Sequence, residues 1–268
     1  MSKTILLTGA TDGIGLETAK LLVAQGHRVL LHGRTPTKLA KVAEDLAEQG
    51  AVESYTADLA DLAEVKTLAE SVAAEHGHLD VLINNAGVLK TSTPITQDGL
   101  DVRFVVNAIA PYLLTKKLLP LMNPSGRVVN VSSAAQSPVD LHALTGQHRV
   151  AEDFSAYAQS KLAITMWSRY LARSLGNNGP IIVAVNPGSL LGSKMVREGF
   201  GMAGKDLQIG ANILCRAALS EDFATASGKY FDNDAGQFAS PHADALDDKK
   251  SGDVVRTIKN ILQQQLSG

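Results

Sequence analysis

The chain has very little cysteine: its 268 residues include only Cys215, so no disulfide bond can form within it. A lone cysteine is typical of a reducing compartment, and we therefore predict a cytoplasmic protein. Cys215 lies in the apolar run 211–219, which indicates a residue of the hydrophobic core.

The chain also lacks an excess of charge and a long apolar run. Its 25 basic and 27 acidic residues give a net charge of −2, which provides no attraction to nucleic acid or to an anionic membrane surface. No apolar run reaches the roughly 18 to 20 residues that span a bilayer, and a strand is predicted almost at the N-terminus, so we expect no membrane anchor. Repeats, linkers and low-complexity segments are missing too, and the length suits one α/β domain over residues 1–268.

Short apolar runs alternate along the chain with longer segments of helical periodicity. This alternation predicts a Rossmann-type doubly wound α/β fold, in which helices cover both faces of a parallel sheet of about seven strands. Ligands of such folds bind at the carboxyl ends of the strands. Strands are predicted near residues 3–8, 28–32, 51–57, 79–83, 126–132, 180–185 and 228–231, and helices near 14–25, 36–49, 62–76, 98–120, 156–176, 206–219 and 252–265.

Three glycines separate the first predicted strand from the helix that follows it. Gly9 permits a tight turn, and Gly13 and Gly15 allow the backbone to approach a pyrophosphate at the positive end of the helix. Their G-x-x-x-G-x-G spacing differs from the common G-x-G-x-x-G dinucleotide motif. A tight turn without a ligand is the alternative. The candidate phosphate site consists of Gly9, Thr11, Asp12, Gly13, Ile14 and Gly15.

Arg34 follows the second predicted strand, where dinucleotide folds meet the adenosine ribose. A carboxylate there would bind the 2′-hydroxyl of NAD(H), whereas an arginine favours the 2′-phosphate of NADP(H). No acidic residue lies between Arg28 and Thr37. We therefore expect NADP(H) in preference to NAD(H); the alternative is a solvated surface arginine.

Tyr157 and Lys161 stand four residues apart in a predicted helix, so their side chains share one face. The lysine ammonium favours the phenolate of its neighbour, which makes Tyr157 a candidate proton donor and acceptor. A free tyrosine has a pKa of ~10, so action near neutral pH requires stabilisation of the phenolate by about 4 kcal/mol. Chance occurrence on an exposed helix is the alternative for this short motif taken alone.

The sequence resembles the short-chain dehydrogenase/reductase family over nearly its whole length, because several motifs occur in the family's order. They are the glycine loop 8–15, Asp58 with Leu59, the run from Asn84 to Gly87, Asn107, the run from Val128 to Ser133, Tyr157 with Lys161, and the run from Asn186 to Gly188. The resemblance implies an oxidoreductase that moves hydride between a nicotinamide cofactor and a carbonyl or carbinol carbon. It implies four catalytic residues, Asn107, Ser133, Tyr157 and Lys161, and cofactor contacts from Asp58, Leu59, Asn85, Ala86, Gly87, Tyr157, Lys161, Pro187, Gly188 and Leu190.

Within this resemblance, Tyr157 is the general acid/base, Lys161 also holds the nicotinamide ribose, and Ser133 donates a hydrogen bond to the substrate oxygen. Asn107 anchors a proton-relay water. Pro111 has no N–H, so it cannot donate the usual helical bond to the Asn107 carbonyl, which we expect to be open to water. For Ser133 the alternative is a serine whose side chain only satisfies polar groups at the end of a strand. For Pro111 the alternative is an ordinary proline kink in a helix.

The separation of Ser133 and Tyr157 is about twice the usual one in the family, because residues 134–154 are inserted between them. This insert resembles the retinol dehydrogenase-like and protochlorophyllide reductase-like branch of the family. His142 and His148 in the insert are interpreted as surface residues. No metal site is predicted, since no carboxylate or cysteine stands at a suitable spacing from them.

The segment 189–205, after the last motif, is predicted to be a substrate lid. Its glycines suit a mobile segment, and its large apolar residues favour a lipophilic aldehyde or ketone. Gly192 stands where the family often has a threonine that contacts the cofactor carboxamide, and we expect Leu190 to present its backbone there. The large apolar residues are Leu190, Leu191, Met195, Phe200 and Met202.

Together these patterns predict an NADP(H)-dependent oxidoreductase for a small carbonyl or alcohol substrate, acting as a monomer or homodimer. The alternative from another class is a protein that binds NADP(H) as a sensor or regulator without turnover. Such proteins commonly lack the tyrosine or the lysine. Because Tyr157 and Lys161 are both present, the enzyme is favoured.

Overall fold

The computed structural model describes residues 1–267, which form one sheet of eight strands in the order β3-β2-β1-β4-β5-β6-β7-β8. The first seven strands are parallel, and β8 pairs antiparallel with β7. The predicted doubly wound fold is confirmed, with one strand more than expected. The strands are Thr4–Leu7, Arg28–Gly33, Val52–Thr56, Val81–Asn84, Arg127–Val131, Ile181–Asn186, Tyr230–Asp232 and Gln237–Ala239, numbered β1 to β8.

Helices pack on both faces of this sheet, and each face has its own apolar core. Strand residues are buried on both sides, as in parallel sheets generally: Leu6, Leu30 and Val128 point to one core, and Ile5, Leu31 and Val129 to the other. The helices are Gly13–Ala24, Pro36–Ala47, Leu62–Glu75, Val102–Phe104, Ala110–Leu118, Leu141–Leu144, Asp153–Leu175, Lys194–Phe200, Leu207–Leu219, Ala243–Leu246 and Asp248–Leu266, numbered α1 to α11.

The single helix predicted over 98–120 is wrong in its start and its continuity. The chain becomes helical at Val102, passes through a π-helical stretch at Val105–Ile109, and resumes as α5. The Ala110 N–H donates to the carbonyl of Val105, five residues back. Pro111 follows at once and has no N–H to continue the ordinary ladder, which gives a physical reason for the irregular turn.

One helical run among the described residues has the length and composition of a membrane span, contrary to the expectation that none would. It covers Val102–Leu121, with a mean hydropathy of 1.2, and 72% of that window is buried inside the protein. Its apolar residues, including Phe104, Ile109 and Leu114, belong to the main core. In this structure the run is therefore a core helix.

The insert 134–154 folds onto the body of the protein. Its short helix α6 contributes Ala143 and Leu144 to the main core, and both are fully or almost fully buried. The side chain of Asp140 caps α6 by accepting from the backbone N–H groups of His142 and Ala143. The insert is therefore a packed part of the structure around the carboxyl edge of the sheet.

Candidate active site

A cleft of about 1350 Å³ opens at the carboxyl edge of the sheet, where the order of the strands reverses between β1 and β4. Every predicted cofactor-binding residue lines it, and so do Ser133, Tyr157 and Lys161. Asn107 is the one predicted site residue that does not. The structure therefore brings together residues from both ends of the chain in one cavity.

Ser133, Tyr157 and Lys161 form a polar group in the wall of this cleft. The side chain of Ser133 adjoins the phenol of Tyr157 and acts to lower its pKa. The Nζ atom of Lys161 lies 5.6 Å from the centre of the Tyr157 ring and donates to the Val131 carbonyl at 2.7 Å. Helix α7 thus presents the phenol and the ammonium on one face, as their spacing predicts.

Burial is the main influence on the pKa values of Tyr157 and Lys161 in this structure. Burial raises the pKa of Tyr157 above its usual value, and the hydrogen bond with Ser133 opposes that shift without reversing it. Burial also lowers the pKa of Lys161 to about 8. The i, i+4 spacing predicts a neighbouring charge, whereas desolvation is the largest cause of the pKa shift in both groups. The raised pKa corresponds to a neutral phenol at neutral pH.

The two consecutive serines at the end of β5 point to different partners. Ser132 is buried and lies 2.6 Å from the hydroxyl of Thr165 on α7. Ser133 faces Tyr157 and the cleft, which agrees with its selection as the candidate substrate contact. Its carbonyl accepts hydrogen bonds from Gln136 and from the hydroxyl of Tyr230, at 2.9 and 3.1 Å. Sequence reasoning missed Tyr230, which is 97 positions away and carries no local signal.

Asn107 lies behind the cleft, and both polar atoms of its side chain form hydrogen bonds within the protein. Its amide nitrogen donates to the Val88 carbonyl and to the Ser160 hydroxyl, both at 2.9 Å, and its amide oxygen accepts from Val88 N–H at 2.8 Å. Ser160 immediately precedes Lys161 on α7. The side chain of Asn107 therefore connects the loop after β4 to the helix that carries Lys161.

The glycine loop has the shape of a phosphate cradle. Gly9 has a φ of +68°, and a Cβ atom on Gly15 would lie 2.0 Å from the Gly9 carbonyl oxygen, so the loop and α1 meet only because both residues are glycine. The Asp12 side chain caps α1 by accepting from Gly13 N–H at 2.7 Å. Asn85, which directly follows β4, holds the glycine loop in place, since its side chain donates to the carbonyls of Thr8 and Gly9. This cradle at a helix N-terminus fits a dinucleotide pyrophosphate.

Arg34 is exposed on the rim of the cleft, directly after β2. Within residues 1–267 its guanidinium makes no salt bridge, in contrast to Arg28 at the other end of the same strand, which pairs with Glu53 at 2.7 Å. Lys38 lines the cleft beside it. The two cations give this end of the cavity a positive rim that fits a phosphate group.

The lid segment is held at its base by a residue from the β7–β8 hairpin. The carboxylate of Asp234 accepts from the backbone and the hydroxyl of Ser189, at 2.9 and 2.5 Å, and from the amide of Asn186 at 2.9 Å. Although partial burial acts to raise it, these hydrogen bonds lower the pKa of Asp234 below its usual value. Leu190, which comes next, has a φ of +55°, which is unusual for a residue with a side chain. Asp234 was not predicted, because its partners lie 45 or more positions away.

The apolar residues of the lid are only partly in the cleft. Leu190, Leu191 and Met195 line it, whereas Met202 is 46% exposed and is not part of the lining. The prediction for the Phe200 side chain lies outside the described part of the structure. Ser193 begins α8 as its cap, accepting from Val196 N–H at 3.3 Å.

The histidines of the insert do not converge on a common partner. His142 lies 2.5 Å from Gln147, and His148 pairs with Asp140 at 3.3 Å; both are exposed. Another cluster, Glu53, Glu75 and His76, has its ligand-type atoms within 4.8 Å of one another, where the edge strand β3 meets the end of α3. These side chains are joined by the Tyr55 hydroxyl, which donates to Glu75 at 2.6 Å.

The fold and the cleft define a dinucleotide-binding α/β protein with a serine, a tyrosine and a lysine in its site. The profile of the short chain dehydrogenase family matches residues 3–204, and the chain belongs to this family, in its retinol dehydrogenase-like branch. It is therefore an oxidoreductase of this family.

Specific relatives agree with this placement. The chain is 32% identical to retinol dehydrogenase 13 of Homo sapiens, over 90% of this chain and 80% of that protein. Among solved structures, an uncharacterized protein from Mycobacterium paratuberculosis has a TM-score of 0.80 at 27% identity, covering 98% of this chain and 92% of the other. Landomycin C-6 ketoreductase LanV, solved with bound NADP and rabelomycin, has a TM-score of 0.67 at 30% identity, covering 86% and 94%.

Proposed function

We propose that the protein is an NADP(H)-dependent oxidoreductase that reduces a lipophilic aldehyde or ketone to the alcohol. The observation that carries the proposal is the single cleft in which Ser133, Tyr157 and Lys161 face the glycine loop. A bound NADPH supplies hydride to the carbonyl carbon in such enzymes, and the protein supplies the proton. The positive rim at Arg34 supports the phosphorylated cofactor, and NADP in the LanV structure agrees with it.

Tyr157 is the proposed proton donor. Its raised pKa keeps the phenol protonated at neutral pH, which is the form that reduction requires. Ser133 adjoins that phenol in the cleft, which supports its proposed role as a donor to the same carbonyl oxygen. Lys161 carries a positive charge below its pKa of about 8, and this charge stabilises the phenolate left behind. Proton transfer then consumes one proton for each hydride delivered.

The walls beside Tyr157 support a lipophilic substrate. Phe154 stacks on Tyr157 with ring centres 6.4 Å apart, and it lines the cleft together with Ile95, Val106 and Met195. Apolar walls around a few polar groups are typical of sites that bind an apolar ligand by one reactive end. A charged sugar would find no matching partners on these side chains.

The test is NADPH oxidation against a panel of lipophilic aldehydes, ketones and quinones, with NADH in parallel and Tyr157→Phe as the control. We expect turnover with NADPH that is lost in the variant. Tight NADPH binding without turnover across the panel would contradict catalysis and favour the sensor. Equal turnover with NADH would contradict the proposed cofactor preference.

A further inference from the structure

His32 is a buried residue of the cleft lining that has no role in the proposed chemistry. It lies on β2, two positions before Arg34, and is only 2% exposed. Its Nδ1 atom accepts from the Gly9 N–H at 3.2 Å, and its Nε2 atom lies 3.0 Å from the Ala57 carbonyl oxygen. A carbonyl can only accept and an N–H can only donate, so these partners require a neutral ring protonated on Nε2. Burial, which lowers the pKa of His32 to about 4, favours the same neutral form.

The ring of His32 connects two walls of the cleft. Strand β2 lies between β1 and β3, and Gly9 and Ala57 follow those two neighbours at the carboxyl edge. Gly9 is the first glycine of the phosphate cradle, and Ala57 directly precedes Asp58. On the β3 side the backbone ladder ends in a long contact, from Ala57 N–H to the Gly33 carbonyl at 3.4 Å, whereas on the β1 side Ala10 N–H reaches the His32 carbonyl at 2.9 Å. The imidazole therefore adds a side-chain connection between the two walls, and it is most needed on the β3 side.

We propose that His32 is a positioning residue, which holds the glycine loop and the Asp58 segment at the separation that the adenosine half of the cofactor requires. This inference rests on the proposed binding of NADP(H). Removal of the ring leaves the Ala57 carbonyl, which is almost fully buried, and the Gly9 N–H without these partners. The loop then relaxes away from its cradle geometry. Removal of the ring should therefore lower the affinity for the cofactor, because His32 is hydrogen-bonded to neither Tyr157 nor Ser133.

Three variants separate the two hydrogen bonds. His32→Leu keeps the apolar bulk and removes both, His32→Asn retains an acceptor near the Nδ1 position, and His32→Gln retains a donor near the Nε2 position. The matched control is His27→Leu at the opposite edge of the sheet, where His27 Nδ1 accepts from Lys3 N–H at the same distance, 3.2 Å. All four variants and the parent are checked for folding by circular dichroism.

The measured quantity is the Kd of NADPH, by titration calorimetry, together with kcat at saturating NADPH. We expect His32→Leu to bind about tenfold more weakly, the Asn and Gln variants to fall between it and the parent, and kcat to stay unchanged. If His32→Leu does not fold, the test relies on the Asn and Gln variants, which should bind NADPH more weakly than the parent with an unchanged kcat. Unchanged affinity, or an equal loss in His27→Leu, would overturn the role of His32 alone. A parent protein that binds no NADPH would overturn the proposed function and this inference together.

Discussion

The two halves of the cleft are built in different ways. The half that we assign to the nucleotide consists of consecutive strand, loop and helix segments, and its key atoms belong to the backbone of loops such as 8–15. The half beside Tyr157 is assembled from segments far apart in the chain: the insert 134–154, the lid 189–205 and the β7–β8 hairpin. A local sequence pattern therefore describes the first half well and the second half poorly.

The start of helix α7 illustrates the difference. Arg103 is completely buried, and its guanidinium pairs with Asp101 at 2.5 Å and with Asp153, the first residue of α7. The half-buried ion pair between Arg103 and Asp153 connects the end of the insert to the protein and holds the start of the helix that carries Tyr157. Nothing in the local sequence of the insert indicates that its last residues are held by an arginine 50 positions earlier.

The largest effect on cofactor binding should come from breaking the local geometry of the nucleotide half. A Cβ atom in Gly15→Ala would overlap the Gly9 carbonyl at 2.0 Å, so the loop must move. We expect NADPH to bind roughly 100-fold more weakly, equivalent to about 3 kcal/mol. Gly77→Ala is the control, because a Cβ atom there meets nothing within 4 Å. Calorimetric binding that is equal in both variants would mean that the cradle does not hold the cofactor.

The next largest effect on binding should come from removing a positive charge at the rim of the nucleotide half. Arg34→Ala should weaken NADPH binding about 30-fold and leave NADH binding nearly unchanged, because a charge-assisted contact to the 2′-phosphate is lost. Arg28→Ala is the matched control at the opposite end of β2. The ratio of the NADPH and NADH dissociation constants checks this prediction. A fall in both affinities together would contradict a specific phosphate contact.

A smaller effect should appear on raising the pH. Burial lowers the pKa of Lys161 to about 8, so the ammonium is present below that pH and lost above it. We expect kcat/KM for reduction to fall about tenfold between pH 7 and pH 9 as this charge disappears. The residual activity of Lys161→Arg should lack the decline, since a guanidinium stays charged. A flat profile in the parent protein would show that the charge of Lys161 is not required.

The smallest effect should come from Asp234, which supports the substrate half of the cleft from the β7–β8 hairpin. Asp234→Asn keeps the shape of the side chain but removes the charge that accepts from Ser189 and Asn186. We expect KM for the carbonyl substrate to rise about fivefold, corresponding to about 1 kcal/mol, with NADPH affinity nearly unchanged. Asp222→Asn, an exposed carboxylate paired with Arg216, serves as the control. Equal KM values in the two variants would mean that the hairpin does not position the lid.

The positions of the seven parallel strands and most of the cleft residues could be predicted from sequence. Hydrophobic periodicity determines the alternation of strands and helices, and parallel topology then brings the strand ends, and residues such as Gly9, Asn85 and Ser133, to one edge. The eighth strand could not be predicted, because three residues of a hairpin carry no periodic signal. The effect of Pro111 on the carbonyl of Asn107 was expected from sequence, but the π-helical turn Val105–Ile109 was not.

Contacts across long separations could not be predicted either. Tyr230, Asp234 and His32 act through partners that only the folded chain brings near them. The burial that raises the pKa of Tyr157 could not be predicted for a related reason: sequence shows a lysine four residues away, whereas burial depends on the whole surrounding structure. Cytoplasmic location and a monomeric or dimeric state stay predictions.

The most direct test of the proposed chemistry is a single-turnover experiment that follows hydride transfer from NADPH to an accepted carbonyl substrate. The parent protein and Tyr157→Phe are compared at saturating NADPH, with binding of the cofactor checked in both. We expect the rate to fall by roughly a thousandfold in the variant, because the proton donor is missing while the ring remains. An unchanged rate in Tyr157→Phe would contradict the role of Tyr157 and with it the proposed mechanism.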